Sequence, residues 1–220
     1  YFADVDKPNQ THPEFITYDI SCNEDFALHS KYHDWTYIFD FFKEHPLAMG
    51  SFATKYVNPD FATYDPEGKI RIRFSLMPQH MADIHEPNTS KIIDRIKAID
   101  AFIEAGYDVH VNFSPVIVYD GWLEDYKHLF TMLNNNVEYK EIVKAEVIFL
   151  THNKNKHIEN LKRIVDVESH LWRPDIQETK NSQYGGENLR YKVNLKSHFI
   201  KEFTKLHDQI IPWNKIRYIF

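Results

Sequence analysis

The sequence predicts an α/β protein whose main part is the later portion of a partial (β/α) barrel. Some segments alternate apolar and polar residues, as β-strands do, and they are separated by segments with the apolar periodicity of helices. Apolar residues make up 43% of the chain, and 16 Phe and 13 Tyr are enough to fill a large core. Strands separated by helices pair in parallel through right-handed crossovers. About five strands precede residue 165, which is too few for a closed eight-stranded barrel.

Each element is predicted from its own pattern. The strands are predicted at 15–21, 51–56, 70–75, 109–113, 145–150 and 216–220. The helices are predicted at 34–44, 89–105, 123–133, 156–164 and 195–206. In the clearest helix, Asn88 or Thr89 is expected to cap the start and Gly106 to close the end. Pro115 is expected to end the fourth strand.

The pattern changes near Trp172, which predicts two regions. Residues 1–170 would form the barrel strands and helices, and residues 171–220 a hairpin around Gly185-Gly186, a helix and a strand. The charge changes as well, because residues 171–220 carry 9 Lys+Arg and 5 Asp+Glu within a chain of net charge −6. A basic tail on an acidic body fits local contact with a phosphate backbone, or a solvated face.

Composition excludes several classes of protein. Cys22 is the one cysteine of the chain, so no internal disulfide framework and no site of several thiolates can form within it. No apolar run approaches the roughly 20 residues that span a bilayer, and the opening residues lack a signal-peptide core. A cytoplasmic protein without a membrane partner is therefore expected. Since the first residue is Tyr1, we also expect a piece of a longer protein.

The 13 histidines raise the possibility of a metal-dependent barrel hydrolase. His80 and His85 are five apart, as are His152 and His157, whereas zinc sites on helices prefer closer pairs with a carboxylate. His110 lies within a predicted strand, where a satisfied core histidine is the simpler interpretation. We therefore expect no metal ligands in this chain and keep the hydrolase as a minor alternative.

Polar residues follow the predicted strands at their carboxyl ends, where ligands bind in parallel α/β proteins. These residues are Cys22, Asn23, Glu24, Lys55, Ser75, Ser114, Thr151 and His152. The pattern indicates a polar ligand above the sheet, although ordinary strand termini are polar too.

Short motifs at these strand ends resemble the spore photoproduct lyase family. They include Ser21-Cys-Asn-Glu-Asp25, Thr54-Lys-Tyr-Val-Asn58, Ile72-Arg-Phe-Ser-Leu76, Arg95-Ile96 and Tyr119-Asp-Gly-Trp122, in the family's order and at about its spacing. The resemblance implies a partial barrel of the radical S-adenosylmethionine type. Such an enzyme cleaves S-adenosylmethionine on a [4Fe–4S] cluster, and the resulting 5′-deoxyadenosyl radical reverses a thymine-dimer lesion in DNA.

The resemblance also implies roles for individual residues. Cys22 matches the family's hydrogen-donor cysteine, which makes it the expected catalytic residue. Lys55 matches a lysine that meets the carboxylate of S-adenosylmethionine, and Ser75 a serine near the same ligand. Ser114 stands where the family usually has alanine, so a backbone contact is expected. Glu24 replaces a family serine and would pair with the ligand's ammonium group.

By the same resemblance, a hairpin in the C-terminal region reaches the lesion. Tyr184, Arg190 and Lys192 are the expected DNA contacts, through stacking on a base and pairing with phosphates. The expected partners are DNA and an external electron donor, with no membrane.

The sequence departs from the family at the cluster. The Cys-x3-Cys-x2-Cys motif is absent, and one cysteine cannot replace three thiolate ligands. The cluster is therefore expected in a full-length protein only, and this chain alone is expected to be inactive. The alternative is a degenerate, non-catalytic nucleic-acid-binding barrel.

Overall fold

The computed structural model of the protein describes residues 12–21, 24–162, 167–181 and 186–220. The strands are β1 (Ile16–Asp19), β2 (Ala48–Thr54), β3 (Ile70–Ser75), β4 (Asp108–Val116), β5 (Lys144–Phe149), β6 (Thr151–Asn153), β7 (Gln177–Asn181), β8 (Glu187–Tyr191) and β9 (Lys215–Ile219). The helices are α1 (Phe26–His29), α2 (Trp35–Glu44), α3 (Gln79–His85), α4 (Ile92–Glu104), α5 (Trp122–Asn136), α6 (Lys154–Leu161), α7 (Glu168–Leu171) and α8 (Val193–Ile210).

The main sheet has six strands in the order β1-β2-β3-β4-β5-β9. Its first four strands pair in parallel, with Thr54 of β2 opposite Phe74 of β3 and Ser75 opposite Asn112 of β4. Helices lie in the β1–β2 and β3–β4 connections, so the predicted parallel pairing of strands separated by helices is confirmed there. A second sheet is antiparallel, in the order β6-β8-β7, so the predicted hairpin forms between β7 and β8.

Several elements differ from the sequence prediction. Strand β2 begins at Ala48, three residues early, because the buried segment before residue 51 lies beside β1. Strand β4 continues through Pro115 to Val116, so the expected end at that proline is wrong. Helix α3 was not predicted, because its seven residues show too short an apolar pattern.

Helix α4 starts later than expected. Its N-cap is Lys91, whose side chain makes no capping bond, so the expected caps Asn88 and Thr89 are wrong. The Thr89 hydroxyl instead accepts a hydrogen bond from Arg95 Nη2 at 2.7 Å. The end of the helix is as predicted, since Gly106 follows the C-cap with φ of +94°, a conformation that glycine adopts without strain.

The chain divides into two compact units. The first comprises Tyr1–Leu76, Asn88–Asn112 and Asn136–Lys144, and the second Met77–Pro87, Phe113–Asn135 and Ala145–Phe220. The domain boundary predicted at residue 170 stays a prediction. Within the described residues, no helix combines the length and the apolarity needed to cross a bilayer.

Clustered aromatic rings fill the core of each unit. In the first unit, Phe26 packs against Phe39, Phe52 and Phe61 with ring centroids 5.2–6.0 Å apart. In the second unit, Phe203 of α8 packs against a ring set comprising Phe113, Tyr126, Phe130 and Phe149. The high aromatic content noted in the sequence therefore serves two cores.

Candidate ligand site at the strand ends

The carboxylate of Asp25 ties the loop after β1 to the end of β2. Its Oδ1 accepts a hydrogen bond from the Thr54 hydroxyl at 2.7 Å, and its Oδ2 accepts one from the Lys55 backbone N–H at 2.7 Å. Oδ1 also accepts from the Leu28 N–H at 3.2 Å and so caps α1. Cys22, the expected hydrogen donor, lies outside the described residues, three positions before Asp25.

A chain of hydrogen bonds joins the ends of β2 and β3. The Lys55 carbonyl accepts from the Ser90 N–H at 3.1 Å, and the Ser90 hydroxyl accepts from the Val57 N–H at 2.9 Å. Arg95 then donates from Nε to the Ser90 carbonyl at 2.9 Å and from Nη1 to the Ser75 carbonyl at 2.7 Å. Two of the predicted ligand residues, Lys55 and Ser75, are thereby linked through α4 and the loop before it.

Arg95 is the centre of this arrangement and is completely buried. A buried guanidinium needs several acceptors to offset its loss of hydration. The carbonyls of Ser75 and Ser90 and the hydroxyl of Thr89 supply three of them. The positive charge of Arg95 is therefore stabilised by backbone and hydroxyl dipoles close to the ends of β2 and β3, and these hydrogen bonds hold the two strand ends in place.

Glu24 lies at the same loop with two histidines beside it. Its carboxylate is 3.2 Å from His29 Nδ1 and 3.0 Å from His33 Nε2, and 42% of its side chain is exposed. His29 is the last residue of α1, which Asp25 caps, and His33 follows four residues later, so both can reach back to Glu24. The acid is accessible, as contact with an ammonium group of a ligand would require.

The two predicted serines occupy different settings. Ser75 is buried at the last position of β3, in register with Asn112. Ser114 is half-buried and lies within β4, two residues before its end, so its expected position after the strand is wrong. It belongs to the second unit, whereas Glu24, Lys55 and Ser75 belong to the first.

The predicted DNA contacts sit on and after β8. Arg190 pairs with Glu178 of β7 at 3.0 Å, and Lys192 Nζ donates to the Asp175 carbonyl at 2.7 Å. Burial, followed by the charges of Arg190 and Lys180, lowers the pKa of Lys196, which shows that basic groups gather there. The third predicted contact, Tyr184, lies outside the described residues.

Three polar residues of the site were not singled out as site residues from the sequence. Asp25, Ser90 and Arg95 make the hydrogen bonds that connect the strand ends, but none directly follows a predicted strand. Asp25 and Arg95 fall inside motifs of the family resemblance, which was the one signal available for them. Ser90 carried no signal, because its role depends on backbone groups far away in the sequence.

Comparison with known proteins shows the family of the chain. The family model described as "Spore photoproduct lyase" matches residues 4–220. Spore photoproduct lyase of Bacillus subtilis (strain 168) is 26% identical over 215 residues, which cover 94% of this chain and 61% of the relative. The enzyme of Geobacillus sp. is 24% identical over 198 residues, covering 89% and 56%. The chain thus spans about three fifths of the length of these relatives.

Solved structures show the same fold. A spore photoproduct lyase complexed with dinucleoside spore photoproduct has a TM-score of 0.84 at 22% identity, covering 94% of this chain and 62% of that one. A mutant with bound AdoMet and dinucleoside spore photoproduct has a TM-score of 0.85 at 21% identity, with the same coverage. The predicted partial (β/α) barrel is confirmed, and the chain belongs to the spore photoproduct lyase family.

Proposed function

We propose that this chain is the part of a radical S-adenosylmethionine DNA-repair lyase that binds S-adenosylmethionine and a thymine-dimer lesion. The observation that carries the proposal is the family match over residues 4–220. The similar protein of Bacillus subtilis is named spore photoproduct lyase. A similar solved structure of a spore photoproduct lyase mutant contains AdoMet and dinucleoside spore photoproduct. Both support the same activity. The proposal includes a cytoplasmic location, where the DNA of a bacterium lies.

The arrangement at the strand ends supports a site for S-adenosylmethionine. Lys55 and Ser75 end neighbouring parallel strands and are linked through Ser90 and Arg95. In this proposal, the Lys55 ammonium pairs with the carboxylate of the ligand, and Glu24 pairs with its ammonium group. Opposite charges at both ends of the amino-acid part would orient the molecule. Ser75 would complete the contacts.

The residues of this chain do not fit a [4Fe–4S] cluster. Clusters of this kind are held by several cysteine thiolates, and the chain has one cysteine. Cluster ligands must therefore come from outside this chain, and the proposed external electron donor would reduce that cluster. What the chain itself would contribute is ligand binding, lesion binding and, through Cys22, a thiol hydrogen placed near the lesion.

Ligand binding is the direct test of the proposed cofactor site. S-adenosylmethionine is titrated into the purified chain by isothermal calorimetry, and one equivalent is expected to bind. Lys55→Ala should weaken binding about ten-fold or more, because a charge-assisted hydrogen bond is worth about 1.5–3 kcal/mol. Lys97→Ala is the matched control, since Lys97 is exposed on α4 and outside the network. Equal affinity for wild type and Lys55→Ala would refute the assigned role.

Lesion binding tests the proposed substrate. A short duplex containing spore photoproduct should bind more tightly than the same duplex undamaged. The double variant Arg190→Ala, Lys192→Ala should bind the duplex more weakly. The logarithm of its binding constant should also fall less steeply with the logarithm of salt concentration, by the amount that corresponds to about one to two lost phosphate contacts. Lys127→Ala serves as the control because it removes an exposed lysine of α5. No preference for the damaged duplex would count against a DNA-repair role.

A second candidate that the sequence leaves open is a non-catalytic nucleic-acid-binding barrel. The chain lacks the three-cysteine motif while keeping the fold of the family. A protein of this kind would bind the lesion as above but carry out no chemistry on it. The two candidates differ in one observable, the presence of a three-cysteine segment in the complete gene product.

A further inference from the structure

Two histidines and a glutamate converge within the second unit. His152 lies on β6, His157 on α6, and Glu168 is the first residue of α7. The Oε2 atom of Glu168 is 3.0 Å from His152 Nε2 and 2.6 Å from His157 Nδ1. Candidate ligand atoms of the three residues all lie within 4.8 Å of one another.

Burial separates this cluster from an ordinary group of surface charges. Only 3% of the Glu168 side chain is exposed, against 12% for His152 and 16% for His157. A carboxylate that has lost its hydration needs strong compensation by opposite charge or hydrogen bonds. Both imidazole nitrogens lie within hydrogen-bond distance of one carboxylate oxygen, so the fold already brings the three potential ligand atoms together.

The distances are close to those of a metal site. Tetrahedral zinc binds nitrogen and carboxylate oxygen at about 2.0–2.2 Å, so its ligand atoms lie about 3.3 Å apart. The observed nitrogen–oxygen separations of 2.6 and 3.0 Å would have to widen by about 0.7 and 0.3 Å, and all the candidate ligand atoms would have to come to this spacing from within 4.8 Å of one another. Two imidazoles and one carboxylate suit zinc among the divalent ions, and a water molecule would take the fourth position.

Neighbouring groups hold the three side chains in place. Asn160 donates a hydrogen bond to Oε1 of Glu168, which orients the carboxylate. The Trp172 ring stacks on His157 with centroids 4.1 Å apart and planes 7° from parallel. Asn153 caps α6 and hydrogen-bonds Asn188 of β8 at 2.8 Å, which fixes the start of that helix. Such supporting contacts set the orientation of metal ligands in proteins.

We infer that His152, His157 and Glu168 form a zinc-binding site that joins β6, α6 and α7. A bound ion would cross-link three short elements around the small antiparallel sheet and keep an open fourth position for water. Elements of this length bury little apolar surface, and a bound ion adds stability to the folded state alone.

The test is metal binding by the metal-stripped chain. Competition of zinc with a chromogenic chelator should reveal one tight equivalent, and cobalt substitution should give the strong visible absorbance of a tetrahedral site. His157→Gln is expected to weaken zinc binding by 100-fold or more and to abolish the cobalt bands. His128→Gln is the matched control, because His128 is exposed on α5 and should leave both readouts unchanged.

Thermal unfolding supplies a second readout. Zinc should raise the melting temperature of wild type and of His128→Gln by several degrees, and leave that of His157→Gln unchanged. Glu168→Gln can destabilise the fold by itself because Glu168 is buried, so the half-buried His157 decides the question. The site is refuted if no tight equivalent binds, or if His157→Gln binds zinc as wild type does.

Discussion

At the scale of single residues, Asp25 links the start of a helix to the end of a strand. One carboxylate oxygen caps α1 and accepts from Thr54, while the other accepts from the Lys55 N–H. An asparagine side chain at this position would have one acceptor oxygen, so it could not accept both from the α1 N-terminus with Thr54 and from the Lys55 N–H. The position of Lys55 therefore depends on the charge and shape of a residue that itself need not touch a ligand.

The variant Asp25→Asn is expected to lower the free energy of unfolding by about 1–2 kcal/mol, because one partner loses its acceptor. Asp34→Asn is the matched control. Asp34 caps α2 through the Tyr37 N–H and accepts from Thr36, and asparagine caps a helix about as well as aspartate. Urea unfolding of both variants makes the comparison. Equal stability of the two would show that Asp25 acts as a simple cap.

Asp108 lies at the opposite end of the strands, where β4 begins. Its carboxylate pairs with Arg71 Nε at 2.6 Å and lies 3.1 Å from Nε2 of the buried His110. Burial alone would raise the pKa of Asp108, but the hydrogen bond and charge of His110, together with Arg71, hold that pKa below its usual range. Charge pairing is the dominant effect here, which makes this a structural ion pair.

A carboxyl group with a lowered pKa stabilises the fold above its unfolded pKa, near 4, and this contribution is lost as pH falls further. At pH 7, Asp108→Asn should cost about 2–3 kcal/mol, because the Arg71 guanidinium is left buried beside a neutral group. The difference from wild type should shrink between pH 4 and pH 2. Denaturation curves across this range measure it, and a gap independent of pH would contradict the assignment.

At the scale of elements, α8 supplies the core of the second unit with a single fully buried phenylalanine. Phe203 contacts the rings of Phe113, Tyr126 and Phe130, which come from β4 and α5. The sequence pattern of α8 is apolar on one face only, which explains how an 18-residue helix presents this side chain inward. The helix is held by this packing more than by its own propensity.

Phe203→Ala is expected to destabilise the protein by about 3–5 kcal/mol, since it leaves a cavity among rigid rings. Phe41→Ala removes the same side chain from α2, where 47% of it is exposed, and should cost less than about 1 kcal/mol. Thermal or urea unfolding gives both values. A small loss for Phe203→Ala would mean that the surrounding rings collapse into the space.

At the scale of the whole molecule, the chain corresponds to about three fifths of its relatives and has one cysteine. After anaerobic reconstitution with iron and sulfide, it should show no cluster absorbance and should release no 5′-deoxyadenosine from S-adenosylmethionine. Formation of both by this polypeptide alone would overturn the prediction. Reading the coding sequence before Tyr1 then separates the two candidate functions, because a three-cysteine segment there supports the enzyme and its absence the binding module.

Much of the fold was predictable from local patterns. The strand at 70–75 and the helix at 34–44 were located within one residue, because their apolar spacing and their end signals agree. The long helix α4 was placed correctly at its end by Gly106 and wrongly at its start. At the start of α4, the Thr89 hydroxyl accepts a hydrogen bond from Arg95, and the N-cap residue Lys91 makes no side-chain capping bond. Local capping rules do not include such competition.

Some features of the candidate sites were likewise predictable from local patterns, and others were not. The sequence by itself determined the parallel α/β class, the family and the order of polar residues at the strand ends, because these depend on periodicity and on short motifs. Only the tertiary structure linked Lys55 to Ser75 through Ser90 and Arg95, and brought Glu168 to two histidines whose spacing had argued against a metal. Contacts between distant segments follow from packing, and no local pattern encodes them.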